Sequence, residues 1–128
     1  MPTLETIISE NAPAPIGPYS QAIRAGGFLF CSGQIPLDPK TGDLNNSSIE
    51  EEVGQVLANI SAVLAAAGLT FEHVVKTTIF LTSINDFPVV NSIYESKLAP
   101  SRPARSTVEV SKLPKGARVE IECIAMCD

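Results

Sequence analysis

A chain of 128 residues, 45% hydrophobic and 18% charged, suits one globular domain over residues 1–128 and leaves no room for a second core. Nine Lys and Arg against fourteen Asp and Glu give a formal net charge of −5, a poor match for nucleic acid, whose phosphates call for a basic face that displaces counterions. The longest apolar stretch, Val56 to Leu69, is broken by Asn59 and Ser61 and falls short of the roughly 20 residues that span a bilayer, so no membrane segment is expected.

In chain order, Asn11 to Pro18 holds three prolines and a glycine, which excludes helix and predicts an extended strap. A strand is expected from Tyr19, through a Gly26-Gly27 turn, into Phe28-Leu29-Phe30-Cys31. Pro36, Pro39 and Gly42 mark a surface loop over about residues 34–47. The period then changes. Val53, Val56, Leu57, Ile60, Val63, Leu64 and Ala67 follow the spacing of one helix face, with a Ser48/Glu51 capping box at its start and Gly68 at its end.

Val74 to Thr82 is rich in β-branched residues and predicts a central strand, with Val75, Thr77, Ile79 and Leu81 on one face and Lys76, Thr78, Phe80 and Thr82 on the other. Pro88 suits a first helical turn, and Phe87, Val90, Tyr94 and Leu98 trace a second amphipathic helix that ends before Pro100. Arg105 to Val110 and Arg118 to Met126 complete the set as strands, joined by a turn at Pro114-Lys115-Gly116. Strands, helix, strand, helix, strands predict an α+β domain, with two helices packed on one face of a mixed sheet. The uncovered face would carry Phe80, Ile124 and Met126 among Glu120, Glu122, Thr78 and Thr107. Such a half-apolar surface points to a homo-oligomer.

Among residues able to carry chemistry, Arg105 stands at a strand start, where a guanidinium can clamp a carboxylate through two parallel hydrogen bonds. A surface arginine in an ion pair is the commoner occupant of such a place. Glu120 and Glu122 alternate with Val119, Ile121 and Cys123, so both point away from the helices, as water-activating carboxylates or as a solvated pair. Tyr19, Ser32 and Asn91 are polar groups at expected element edges, suited to ligand contact or to local hydrogen bonds. His73 is the only histidine, with no second one to share a metal. Cys123 and Cys127 would share a strand face but stand about 13 Å apart, too far for chelation. The odd count of three cysteines, without a secretory or Arg-rich leader, predicts free thiols and a cytoplasmic setting. No phosphate loop, nucleophile elbow or poised Cys-His pair is present.

From about Asn11 to Ala125 the chain resembles the RidA family of reactive intermediate deaminases, also called the YjgF family. The resemblance lies in Gly17-Pro18-Tyr19-Ser20-Gln21-Ala22, Ser32-Gly33-Gln34-Ile35-Pro36, Ala66-Ala67-Gly68-Leu69, Val75-Lys76-Thr77-Thr78, Asn85-Asp86-Phe87 with Val90-Asn91, Pro103-Ala104-Arg105-Ser106 and Val119-Glu120-Ile121-Glu122. It implies a homotrimer with a chorismate-mutase-like outline and pockets in the clefts between subunits. It also implies an activity, the hydrolysis of 2-imino acids such as 2-iminobutanoate and 2-iminopropanoate to 2-oxo acids and ammonia. Arg105 would hold the substrate carboxylate and Glu120 would place the water. Tyr19, Ser32 and Asn91 would line the pocket, completed by the backbone of Ser106 and Thr107. Imines hydrolyse unaided in water, so orientation, one charge clamp and a proton route suffice, and no cofactor or metal is expected. The chain departs from the family at Thr107, where many bacterial members carry cysteine, and in the short Glu95 to Arg102 stretch, which lacks an aromatic pair often found there. A non-catalytic carboxylate-binding regulator and a translation inhibitor or ribonuclease are the competing readings.

Overall fold

The computed structural model describes residues 2–127. Six strands form one sheet in the order β1-β2-β3-β6-β4-β5: β1 Glu5–Ile7, β2 Ala22–Ala25, β3 Phe28–Gln34, β4 Val74–Leu81, β5 Ala104–Glu109 and β6 Val119–Met126. Only β4 and β5 run parallel, so the sheet is mixed. Helices α1, Ile49–Ala66, and α2, Phe87–Leu98, pack on each other, and α1 packs on β3 and β6. The predicted α+β class and both helices are therefore present.

One apolar layer explains the arrangement. Leu29 and Cys31 of β3, Ile79 and Leu81 of β4, and Val119, Ile121, Cys123 and Ala125 of β6 are buried on the helix side, against Val53, Val56, Leu57, Ile60, Val63 and Leu64 of α1 and Val90, Tyr94 and Leu98 of α2. The two periods, 2 along the strands and 3.6 along the helices, bring all of these onto facing surfaces. The opposite sheet face stays open, with Phe30, Val108 and Met126 all more than 40% exposed.

Helix ends follow the local chemistry. The Ser48 hydroxyl accepts from the Glu51 amide, which satisfies an otherwise orphaned N–H. The other half of the expected capping box is absent, because the Glu51 carboxylate accepts from the Ser47 hydroxyl instead. At the far end Gly68 takes a φ of +77°. Leu69 N–H then reaches Leu64 O and Gly68 N–H reaches Ala65 O, a Schellman cap that glycine permits without strain.

Several expectations need correction. Val75, placed with Thr77, Ile79 and Leu81 on the covered face, is exposed while Val74 is buried. The register steps from Val74↔Ala125 to Lys76↔Ile124, so two residues of β4 advance against one of β6, and this bulge inverts the alternation before it. Tyr19 to Gln21 precede the strand, because the buried Gln21 amide ties down the strap: it accepts from Ser9 N at 2.7 Å and donates to Pro13 O at 2.9 Å. Strand β1, too short to show a periodic pattern, pairs with β2 in the register Glu5↔Arg24. Cys127 lies beyond β6 and is half-buried, so it does not share a strand face with Cys123. The cysteine beside Cys123 is Cys31, directly opposite across β3 and β6. All three thiols are free. The hydrogen bond with the Cys31 thiol and then burial push the Cys123 thiol up.

Candidate active site

Arg105 is the second residue of β5, an edge strand, and pairs with Thr77 of β4. Paired residues project to the same side of a sheet, and Thr77 is buried under α2, so Arg105 projects to the helix side. There its guanidinium lies over two rings of α2, 5.3 Å from the Phe87 centroid and 5.0 Å from that of Tyr94. It donates to Asn91 Oδ1 at 2.7 Å. Phe87, Asn91 and Tyr94 share one helix face by their spacing of four and three, so a single helix supplies all three contacts. The Tyr94 phenol is in turn hydrogen-bonded to the Thr77 hydroxyl at 2.7 Å inside the core, and burial pushes its pKa up. Around this group lies a hollow of about 390 Å³, lined by Asn91, Tyr94, Glu95, Arg102 and Arg105.

Glu120 sits elsewhere. It pairs with Phe80 on β4 and projects to the open side of the sheet. It is half-buried in a second hollow of about 280 Å³, which it lines with Ile16, Tyr19, Gly33, Leu37 and Pro114. Burial, followed by the like charge of Glu122, holds its carboxyl above the usual carboxylate range. The carboxylate lies against the Gly33 backbone so closely that a Cβ on residue 33 would stand 2.9 Å from Glu120 Cδ and nearer still to Oε2. Ser32, next in the chain, is mid-strand rather than at an edge, and its hydroxyl donates to Ser20 O at 2.6 Å. Asn91 likewise lies inside α2 rather than at its end. Thr107 is half-buried, with its Oγ1 shielded and without a hydrogen-bond partner among the described residues, and Ser106 is exposed.

The candidates thus fall into two groups, Arg105 with Asn91 on one side of the sheet and Glu120 with Tyr19 on the other, near Gly33 of the Ser32-Gly33 pair. Phe87, Tyr94, Thr77 and Gly33 were not singled out as site residues by sequence. The four-and-three spacing around Asn91 was the available signal for the two rings. A third hollow, about 500 Å³ beneath the N-terminal strap, shares Tyr19 but is lined mainly by apolar groups such as Ile7, Ile8 and Pro15, and it holds neither Arg105 nor Glu120. His73 is a cap residue, its Nδ1 accepting from Thr70 N. Among the described residues, no three His, Cys, Asp or Glu side chains gather where they could hold a metal ion. No helix among them is long and apolar enough to cross a membrane.

Fold and side-chain placement together define an α+β protein that presents an aromatic-backed guanidinium and a half-buried carboxylate in separate hollows. Residues 9–127 match the family model described as endoribonuclease L-PSP. A RutC family protein of Pyrococcus horikoshii is 54% identical, over 94% of this chain and 96% of the relative. A mouse protein named 2-iminobutanoate/2-iminopropanoate deaminase is 47% identical, over 95% of this chain and 90% of its own. Among solved structures, a Rid family protein of Yersinia pestis superposes with a TM-score of 0.95 at 56% identity, covering 97% of this chain and 99% of that one. The chain belongs to the YjgF/RidA family.

Proposed function

We propose that this protein is a deaminase that hydrolyses 2-imino acids such as 2-iminobutanoate and 2-iminopropanoate, and their enamine tautomers, to 2-oxo acids and ammonia. The mouse relative's name supports the reaction. The arrangement of Arg105 supports the substrate class: one N–H is engaged by Asn91, and four of the five guanidinium donors stay available for a planar carboxylate. Glu120 accepts a proton from water, which attacks the imine carbon. The carbinolamine then expels ammonia once its nitrogen has been protonated. Water adds as OH to carbon and H to nitrogen, the C–N bond breaks, and no redox partner is needed.

The single observation that carries the quaternary part of the reading is that Arg105 and Glu120 of one chain project to opposite sides of the sheet. They stand two strands apart, about 10 Å across the sheet, with a further offset of about 10 Å along it. A four-carbon imino acid cannot touch both, so the working pocket combines Arg105 and Asn91 of one subunit with Tyr19, Ser32 and Glu120 of another. Edge strand β5 makes the arginine reachable from a neighbour. A homotrimer with one such cleft per subunit pair satisfies this and covers the open apolar face, and three free thiols fit a cytoplasmic location.

The test is release of ammonia and 2-oxobutanoate while threonine dehydratase generates the imine in place. Acceleration by the wild-type protein is expected. A folded Arg105→Lys variant should lose most of it, since lysine keeps the charge but not the bidentate fork. Wild-type turnover in that variant would remove the clamp from the mechanism. The family model's description favours a second reading, an endoribonuclease. A net charge of −5 and a single histidine weigh against it. RNA binding that falls steeply between two salt concentrations would be its mark.

A further inference from the structure

We infer that Tyr94 and Phe87 are positioning residues for the substrate carboxylate, acting through Arg105, whose guanidinium their rings hold in place. The inference rests on the deaminase reading and extends it to residues that touch no substrate. An arginine on an exposed edge strand is ordinarily a flexible side chain, and a clamp that must first be ordered binds weakly. Here the guanidinium lies over two aromatic rings, at 5.3 and 5.0 Å from their centroids, and donates one N–H to Asn91. Ring faces attract a cation without consuming its N–H groups, so the head is fixed while its in-plane donors stay available.

The rings need fixing too. Phe87 opens α2 and is half-buried, whereas Tyr94 is only 6% exposed and its hydroxyl is bonded to Thr77. Thr77 is also the cross-strand partner of Arg105. The three residues close a loop from strand to helix and back to the neighbouring strand. Ring and arginine are therefore both anchored beside Thr77 of β4.

The experiment compares wild type, Tyr94→Leu, Tyr94→Phe and Phe87→Leu. It measures KM and kcat in the coupled assay and the Kd of 2-oxobutanoate by calorimetry. It also records the Arg105 Nε–H resonance, which stacked rings displace through their ring currents. Because the clamp acts on ground state and transition state alike, Tyr94→Leu should raise KM and Kd about tenfold while kcat changes less than about threefold. The displaced resonance should disappear. Tyr94→Phe, which keeps the ring, should stay within about threefold of wild type in both constants. Should Tyr94→Leu fail to fold, Phe87→Leu removes the other ring, which is only half-buried, and should produce the same pattern. A folded leucine variant at either ring position with wild-type KM, Kd and resonance overturns the inference. So does a Tyr94→Phe variant as impaired as Tyr94→Leu. Failure of the deaminase reading is distinguishable, because it shows as absent turnover in the wild type, while the ring-current shift and its loss still decide whether the rings hold Arg105.

Discussion

The carboxylate of Glu120 lies against a residue without a side chain, and this contact sets how it is aimed. A methyl group at position 33 would occupy the space of the Glu120 head group, so the carboxylate would have to move from its present place. Gly33→Ala is therefore expected to leave the chain folded but to lower kcat for 2-iminobutanoate by about tenfold or more, because misplacing a reacting group by about 1 Å costs up to about a hundredfold. Stopped-flow turnover beside a thermal melt checks both halves. The same carboxyl has a pKa raised first by burial and then by Glu122. If Glu120 is the proposed base it works only when ionised, so kcat/KM should fall as pH drops through that raised pKa, at a higher pH than an ordinary exposed glutamate would dictate. Glu122→Gln removes the like charge and should move this acid limb to lower pH. A limb that stays in place in a pH profile of the variant would dissociate Glu122 from the titration.

Strand β6 carries Glu120, and its start is held by α1. Glu52, fully buried in the first turn of that helix, accepts from the Arg118 backbone N–H at 2.8 Å and from Arg118 Nε. Arg118 also donates to Asn46 O, and its carbonyl accepts from Thr82 N at the end of β4. One carboxylate thus ties helix, loop and strand together just before the site. Removing one member of a buried pair strands the other. Arg118 keeps 41% of its side chain in water, which places the expected cost of Glu52→Ala at the lower end, about 3 kcal/mol, or roughly 10 °C in Tm. Calorimetric melting measures it, and a shift under about 2 °C would show the tie to be dispensable.

At the scale of the molecule, the open sheet face is the feature that a lone chain leaves unexplained. Phe28, Phe30, Val108 and Met126 are each more than a third exposed there, and covering such side chains contributes about 1.5 to 3 kcal/mol apiece. If this face joins the subunits, Phe30→Asp should convert the assembly to monomers and abolish deamination with Arg105 and Glu120 unchanged, since an unpaired buried charge costs several kcal/mol. Position 30 is preferred to Ile124, because Lys76 stands opposite Ile124 and would give an aspartate there a partner. Sedimentation reads the mass and the coupled assay the rate. A folded monomer that deaminates at the wild-type rate would place the whole site within one chain.

Both helices, the central and C-terminal strands and the one-sided packing were legible because each rests on local periodicity or on a cap residue: Val53 to Leu64 repeat at 3.6, Val119 to Ala125 at 2, and Ser48, Pro88 and Gly68 mark boundaries through their own backbone preferences. Arg105 and Glu120 were also legible as candidates, by residue type and motif. The bulge at Val75 was not, since it depends on the register of β4 against β6, which pairs Val74 with the distant Ala125. Nor were the Cys31–Cys123 pairing, the rings beneath Arg105, the glycine beneath Glu120 or the sidedness that separates the two. Periodicity tells which face of its own element a side chain occupies. What lies against that face is decided by strand order and register, and these are properties of the folded sheet rather than of any segment within it.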